Sequence, residues 1–191
     1  MTNIWAKEEL KLPDETSVYS YDRAKEIFEE IEPTRITVSD AILVLLYAQH
    51  EKPVNGRVSM MKQVFLLVNE VLKGIDTQDP KYVKNRFGMY SFVVAQTLTN
   101  LEFAGFMERE GRKNTKLERF KITEKGAKYI APLFGSLPKK LQATISEKRK
   151  GWDQLGYEGI LRYVYHKYPK YHDKSVLKKR YAPIFWGRGT G

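Results

Sequence analysis

The stretch from Phe87 to Lys125 leaves a chain few ways to fold. Ser91 is placed to cap a helix, its oxygen accepting from a first-turn amide that has no helical partner. Val94, Leu98 and Leu101 recur at helical spacing and Gly105 extends the stripe. Gly105 also stands where a helix ends in a left-handed residue, a conformation glycine adopts without steric cost. Phe106 to Arg109 then leads into the charged loop Glu110-Gly111-Arg112-Lys113-Asn114, and Leu117 to Ile122 returns with Phe120 and Ile122 two apart, the strand period. Thr123-Glu124-Lys125-Gly126 reads as a fresh helix start. Helix, tight turn, basic hairpin, helix is the order of a winged helix. The expected fold class is therefore mainly α with a small β-hairpin (α+β): a winged helix-turn-helix with an N-terminal arm and a C-terminal helical extension.

Charge matters most when it is divided along the chain. Residues 1–74 carry 9 Lys and Arg against 12 Asp and Glu, residues 75–137 carry 11 against 7, and residues 138–191 carry 13 against 4. The net charge of +10 thus builds up from the helix–hairpin unit toward the C-terminus. That gradient suits an acidic polymer as partner, and equally a lysine-rich surface that serves only solubility. An apolar fraction of 42% supports a core. The longest apolar run, Ala41 to Ala48, is far short of the ~20 residues of a membrane span. Glu8, Glu9 and Asp14 break any secretion-signal pattern, and the absence of cysteine excludes disulfides and thiolate metal sites. A soluble cytoplasmic protein is expected.

Along the chain, residues 1–38 read as an arm followed by a helix from Asp22 to about Ile31, and residues 39–137 as the winged-helix domain. Within that domain Ser39 is expected to cap the most apolar helix, Asp40 to about His50. Arg57-Val58 is read as a short strand beside the hairpin, Ser59 to Lys73 as a helix, and Lys81 to Arg86 as a helical turn. Residues 138–181 form the basic helical extension, with Pro138 at a helix start and Gly151 as its interruption, and residues 182–191 a tail.

Several of these stretches together support a resemblance. Ile42-Leu43-Val44-Leu45-Leu46-Tyr47, the Gly56-Arg57 loop, Met61-Lys62-Gln63-Val64-Phe65-Leu66-Leu67, and Phe87-Gly88-Met89-Tyr90-Ser91 with Leu98, Leu101 and Gly105 are similar to the YwgA-like winged-helix family of archaea and bacteria. Leu161 to Pro169 resembles that family's C-terminal helix, so the likeness spans roughly residues 40–181. The family's turn usually reads Tyr-Gly-Pro-Tyr-Ser, where this chain has Phe87 and Met89 in place of tyrosine and proline. The resemblance implies a winged helix-turn-helix that binds DNA, and, from antitoxin-like distant relatives, a protein-binding surface as the other use of the fold.

The candidate site residues follow from the same frame. With the apolar stripe inward, the central helix turns Phe92, Gln96, Thr99, Asn100 and Phe103 outward. Gln96 and Asn100 lie one turn apart, and amide side chains are the usual bidentate partners of adenine in the major groove. No cation lies on that face, however, and burial of the two phenylalanines against the C-terminal helices or a second subunit is slightly favoured over base readout. The hairpin gathers Arg109, Arg112, Lys113, Lys116, Arg119 and Lys121, which can lie along a phosphate backbone. Glu108, Glu110 and Glu118 can offset half that charge across the strands. Tyr163, Tyr165, Tyr168 and Tyr171 can stack on bases but are better read as core with a polar tip. Phe185 and Trp186 in the tail join Phe92 and Phe103 as protein-interface candidates.

Catalysis has little support. His50, His166 and His172 lack metal-ligand spacing, and Gly88, Gly105 and Gly111 make no phosphate-cradling loop. No enzyme, cofactor, metal or small-molecule ligand is expected. The expected function is a DNA-binding winged-helix regulator of transcription with double-stranded DNA as partner. The alternative is a protein-interaction module, antitoxin-like or a homodimeric scaffold.

Overall fold

A computed structural model describes residues 9–11, 17–19, 35–50, 52–85, 88–113, 115 and 117–171. The chain divides into two compact units, 1–35 and 36–191. In the first, β1 (Glu9–Lys11) and β2 (Ser17–Tyr19) form a small antiparallel hairpin with Leu10 opposite Val18. The helix expected from Asp22 to Ile31 lies outside the described residues.

The second unit is mainly helical with small antiparallel sheets, the α+β class its sequence calls for. It is built around α1 (Val38–Tyr47). The run Ala41-Ile42-Leu43-Val44-Leu45-Leu46 has no polar face, so the helix is stable only if covered all round, and all six side chains are buried. Among the described residues every other α-helix of this unit packs on it. Its cap is Thr37, two residues before the expected Ser39. Thr37 Oγ1 accepts from the Asp40 amide at 3.1 Å while the Thr37 amide donates to Asp40 Oδ2 at 2.9 Å. Asp40 stands three residues after Thr37 and can reciprocate; Ser39 has no such partner.

β3 (Val54–Asn55) follows and Gly56 opens α2 (Arg57–Leu66), which runs on through a π-helical turn at Leu67–Val71. The first strand is thus three residues earlier than Arg57-Val58, which begin the helix. A hairpin of β4 (Val83–Asn85) and β5 (Gly88–Tyr90) comes next, where a helical turn was expected. It delivers the chain to Ser91 and α3 (Phe92–Phe103). As expected, Ser91 Oγ accepts from the Val94 amide at 2.9 Å, and it also donates to the Pro80 carbonyl. Gly105 closes the helix at φ +74°.

β6 (Met107–Glu110) and β7 (Arg119–Ile122) form the expected hairpin, and β3 pairs with β7 at Val54 opposite Phe120, giving the sheet order β3-β7-β6. Met107, Phe120 and Ile122 face the core. Thr123 caps α4 (Glu124–Ser136), accepting from the Gly126 amide at 3.1 Å. Gly126 lies against the Phe106 carbonyl, where a Cβ has no room. After Pro138, α5 (Lys139–Lys167) runs straight through Gly151 and breaks instead at Gly156, φ 63° and ψ −172°. Glu70 on the π turn holds the far half of α5, accepting from Tyr163 at 3.0 Å, Tyr168 at 2.9 Å and Lys167 at 3.0 Å. Tyr165 is buried and the hydroxyls of Tyr163 and Tyr168 serve this carboxylate, so these tyrosines are core with a polar tip. The side chain of Tyr171 lies outside the described residues.

Candidate functional site

Strand alternation decides which hairpin cations face water. Met107 points inward, so Arg109, two residues on, shares its face. Its guanidinium reaches Glu102 at 2.6 Å and Glu118 at 3.7 Å, and its side chain is only 16% exposed. Glu118 is fully buried and also takes Arg57 at 3.2 Å, while its carbonyl accepts from the Gly56 amide at 2.6 Å. Arg109 is therefore tied to the base of the hairpin. Lys121 faces outward and meets Glu108 across the strands at 3.6 Å. Arg112, Lys113 and Arg119 are exposed, the first two at the loop where Gly111 turns the chain at φ +78°. Lys116 lies outside the described residues.

On α3, Phe92 and Phe103 are 67% and 93% exposed, so neither packs against the described C-terminal helices. Eleven residues at about 100° each bring them back to one face, roughly 16 Å apart along the axis. Between them Gln96 Nε2 donates to Asn100 Oδ1 at 2.9 Å, and Thr99 Oγ1 donates back to the Ala95 carbonyl at 3.3 Å. The two amides thus occupy each other. Phe185 and Trp186 lie outside the described residues, as do Lys178, Lys179 and Arg180. Of the other C-terminal cations Lys139, Lys140, Lys148 and Lys150 are exposed. Arg149 is completely buried, bound to Asp153 and donating to the Lys52 carbonyl at 3.2 Å. Burial pulls its pKa down to about 10.

A second feature has no counterpart in the sequence reading. Between α2, the β4–β5 hairpin, the base of the β6–β7 hairpin and the break in α5 lies a cavity of about 640 Å³. Lys62 and Gln63, both 1% exposed, stand in its wall. Lys62 Nζ donates to the Met89 carbonyl at 2.6 Å, and burial lowers its pKa from 10.5 to about 7. Gln63 Nε2 donates to Asp153 Oδ1 at 2.9 Å, leaving its buried Oε1 without a partner. One signal was available: Lys62-Gln63 interrupts Met60-Met61 and Val64-Phe65 on a helix apolar on both sides. Polar residues there must find hydrogen-bond partners in the interior or face a hole.

Among the described residues no helix is long and apolar enough to cross a membrane, and no group of three His, Cys, Asp or Glu is placed to hold a metal ion. No family model matches the sequence, and no curated protein matches it either.

Proposed function

We propose that this chain is a DNA-binding winged-helix protein, a cytoplasmic regulator of transcription rather than an enzyme, that grips the phosphate backbone through the β6–β7 hairpin and presents α3 to the major groove. The observation that carries the reading is the exposed trio Arg112, Lys113 and Arg119 on a hairpin whose strand β6 packs on α3. Support also comes from element order: α1, β3, α2, α3, β6, β7 with β3 paired to β7 is compatible with a winged helix, the β4–β5 hairpin standing between α2 and α3. Gln96 and Asn100 would exchange their mutual bond for base edges, at no loss of bond count. Fluorescence anisotropy against random duplex and single-stranded DNA at two salt concentrations tests this. Duplex binding that weakens steeply with salt is expected. Absent or salt-independent binding would overturn it.

A second reading is favoured by the same helix: Phe92 and Phe103, exposed on one face, suit a copy of this chain as partner. Sedimentation of wild type and Phe92→Ser separates the two. A wild-type dimer that the variant abolishes while staying folded supports the second reading, and a monomer at all concentrations removes it.

A further inference from the structure

The cavity between α2, the β4–β5 hairpin and the break in α5 has aromatic and apolar walls with polar groups set into them. A volume of about 640 Å³ is in the range of small-molecule sites. Aromatic surface comes from Tyr90, Trp152 and Tyr157, and apolar surface from Met61 and Met89. Flat rings on several sides favour a flat occupant.

Polar groups in the wall are asymmetric. Because the Gln63 amide nitrogen is committed to Asp153, its oxygen is the atom left over, and it is an acceptor awaiting a donor. Arg57 is the mirror case. One terminal nitrogen is held by Glu118 at 3.2 Å while Nε, also buried, has no partner and awaits an acceptor. Buried polar atoms are seldom left in this state, and each one costs stability until something fills it. Both atoms lie just behind the wall, and an occupant offering one donor and one acceptor would complete both once the two side chains turn toward it.

Three carboxylates, Glu118, Asp153 and Glu158, stand in the wall beside Arg57 and Lys62. Arg57 pairs with Glu118, Asp153 with Arg149, and Glu158 with Arg162 at 3.8 Å. Lys62 sits against the Met89 carbonyl with its ammonium form disfavoured by burial. A phosphate or carboxylate entering here would meet those three carboxylates at close range, whereas an uncharged molecule would not be repelled.

We propose that this cavity binds an uncharged, planar heteroaromatic molecule of the nucleoside class, its base between the aromatic walls and its donor and acceptor on Gln63 Oε1 and Arg57 Nε. The site stands without the DNA-binding reading; only its role as an effector site rests on that reading. That role has a physical route. Met89, which accepts from Lys62, is two residues before Ser91, the cap of α3, and Glu118 in the same wall anchors the β6–β7 hairpin. An occupant therefore touches the mountings of both elements proposed to meet DNA.

Calorimetric titration of the full chain with adenosine, guanosine, cytidine and thymidine, each beside its 5′-monophosphate, is the test. At least one nucleoside should bind saturably, with its monophosphate at least roughly tenfold weaker. Gln63→Leu should weaken binding by about tenfold or more. Tyr157→Ala, at a half-exposed position that tolerates truncation, should do the same if the first variant fails to fold. No binding by any of the four up to about 1 mM, a monophosphate that binds as well as its nucleoside, or affinity untouched by Tyr157→Ala would each overturn the proposal. Duplex binding with and without the nucleoside is measured in parallel. Nucleoside binding without DNA binding leaves this site standing and removes its regulatory role; DNA binding without nucleoside binding does the reverse.

Discussion

Lys62 carries an amine into the interior, where its Nζ donates to the Met89 carbonyl and burial disfavours the charged form. Burial is the whole cause of its lowered pKa, so the sign of the pH effect follows directly. Below about 7 the amine is protonated in both folded and unfolded chains and the burial penalty is fully present. Between about 7 and 10.5 the unfolded chain holds a proton the folded one lacks, so stability rises with pH across that window. The rise from pH 7 to pH 9 corresponds to about 2 kcal/mol. Denaturant unfolding of wild type and Lys62→Met at both pH values should show that difference in the wild type alone; matching profiles would refute it. Arg109 and Arg112 form a second contrast at this scale. Arg109→Ala removes one of the cations paired with buried Glu118 and should cost about 2 kcal/mol. Arg112→Ala should change stability by less than about 0.5 kcal/mol, because the side chain is exposed. The sequence held the clue that separates them: Met107-Glu108-Arg109-Glu110 alternates, and Arg109 shares parity with the buried methionine.

Among the elements, those with local signals were legible. Ser91, Gly105 and Thr123 are caps and stops whose chemistry lies within a few residues, and each does what its neighbours require. Ser91→Ala removes both the acceptor for Val94 and the donor to Pro80, and should lower stability by about 1–2 kcal/mol. Elements whose existence depends on a distant partner were not legible. β3 is two residues long, too short for any periodicity, and is a strand because Phe120 lies opposite Val54. β4 reads as a helical turn in the sequence because Lys81 to Arg86 has charges but neither glycine nor proline. Gly151 and Gly156 were indistinguishable as letters. Gly151 has helical backbone, while Gly156 takes a φ/ψ combination that other residues avoid. Gly156→Ala meets open space, so its cost of about 1–3 kcal/mol is backbone strain alone. Gly151→Ala should instead be neutral or stabilising, since alanine favours helix. Thermal unfolding of the two variants checks the assignment; equal shifts would refute it.

The whole molecule concentrates its legible information in charge and hides its cavity. That cavity is walled by residues near positions 57–63, 85–90, 115–118 and 152–158, four stretches joined only by tertiary packing. No window along the chain contains more than one wall. Charge could be counted from the sequence but not placed: of the hairpin cations, Arg109 and Lys121 are paired with acids while Arg112, Lys113 and Arg119 are exposed. If the hairpin lies along DNA, the exposed three should each contribute about 0.9 to the slope of log affinity against log salt. The triple variant Arg112→Ala, Lys113→Ala, Arg119→Ala should therefore flatten the slope by about 2.7. Arg109→Ala, where it folds, should leave the slope within about one contact of the wild type, because its guanidinium stays with Glu102 and Glu118. A wild-type slope steeper than the triple variant can account for assigns the remainder to other exposed cations, with Lys139, Lys140, Lys148 and Lys150 first in line. A triple variant as salt-sensitive as the wild type would take the hairpin off the DNA, whatever else the protein binds.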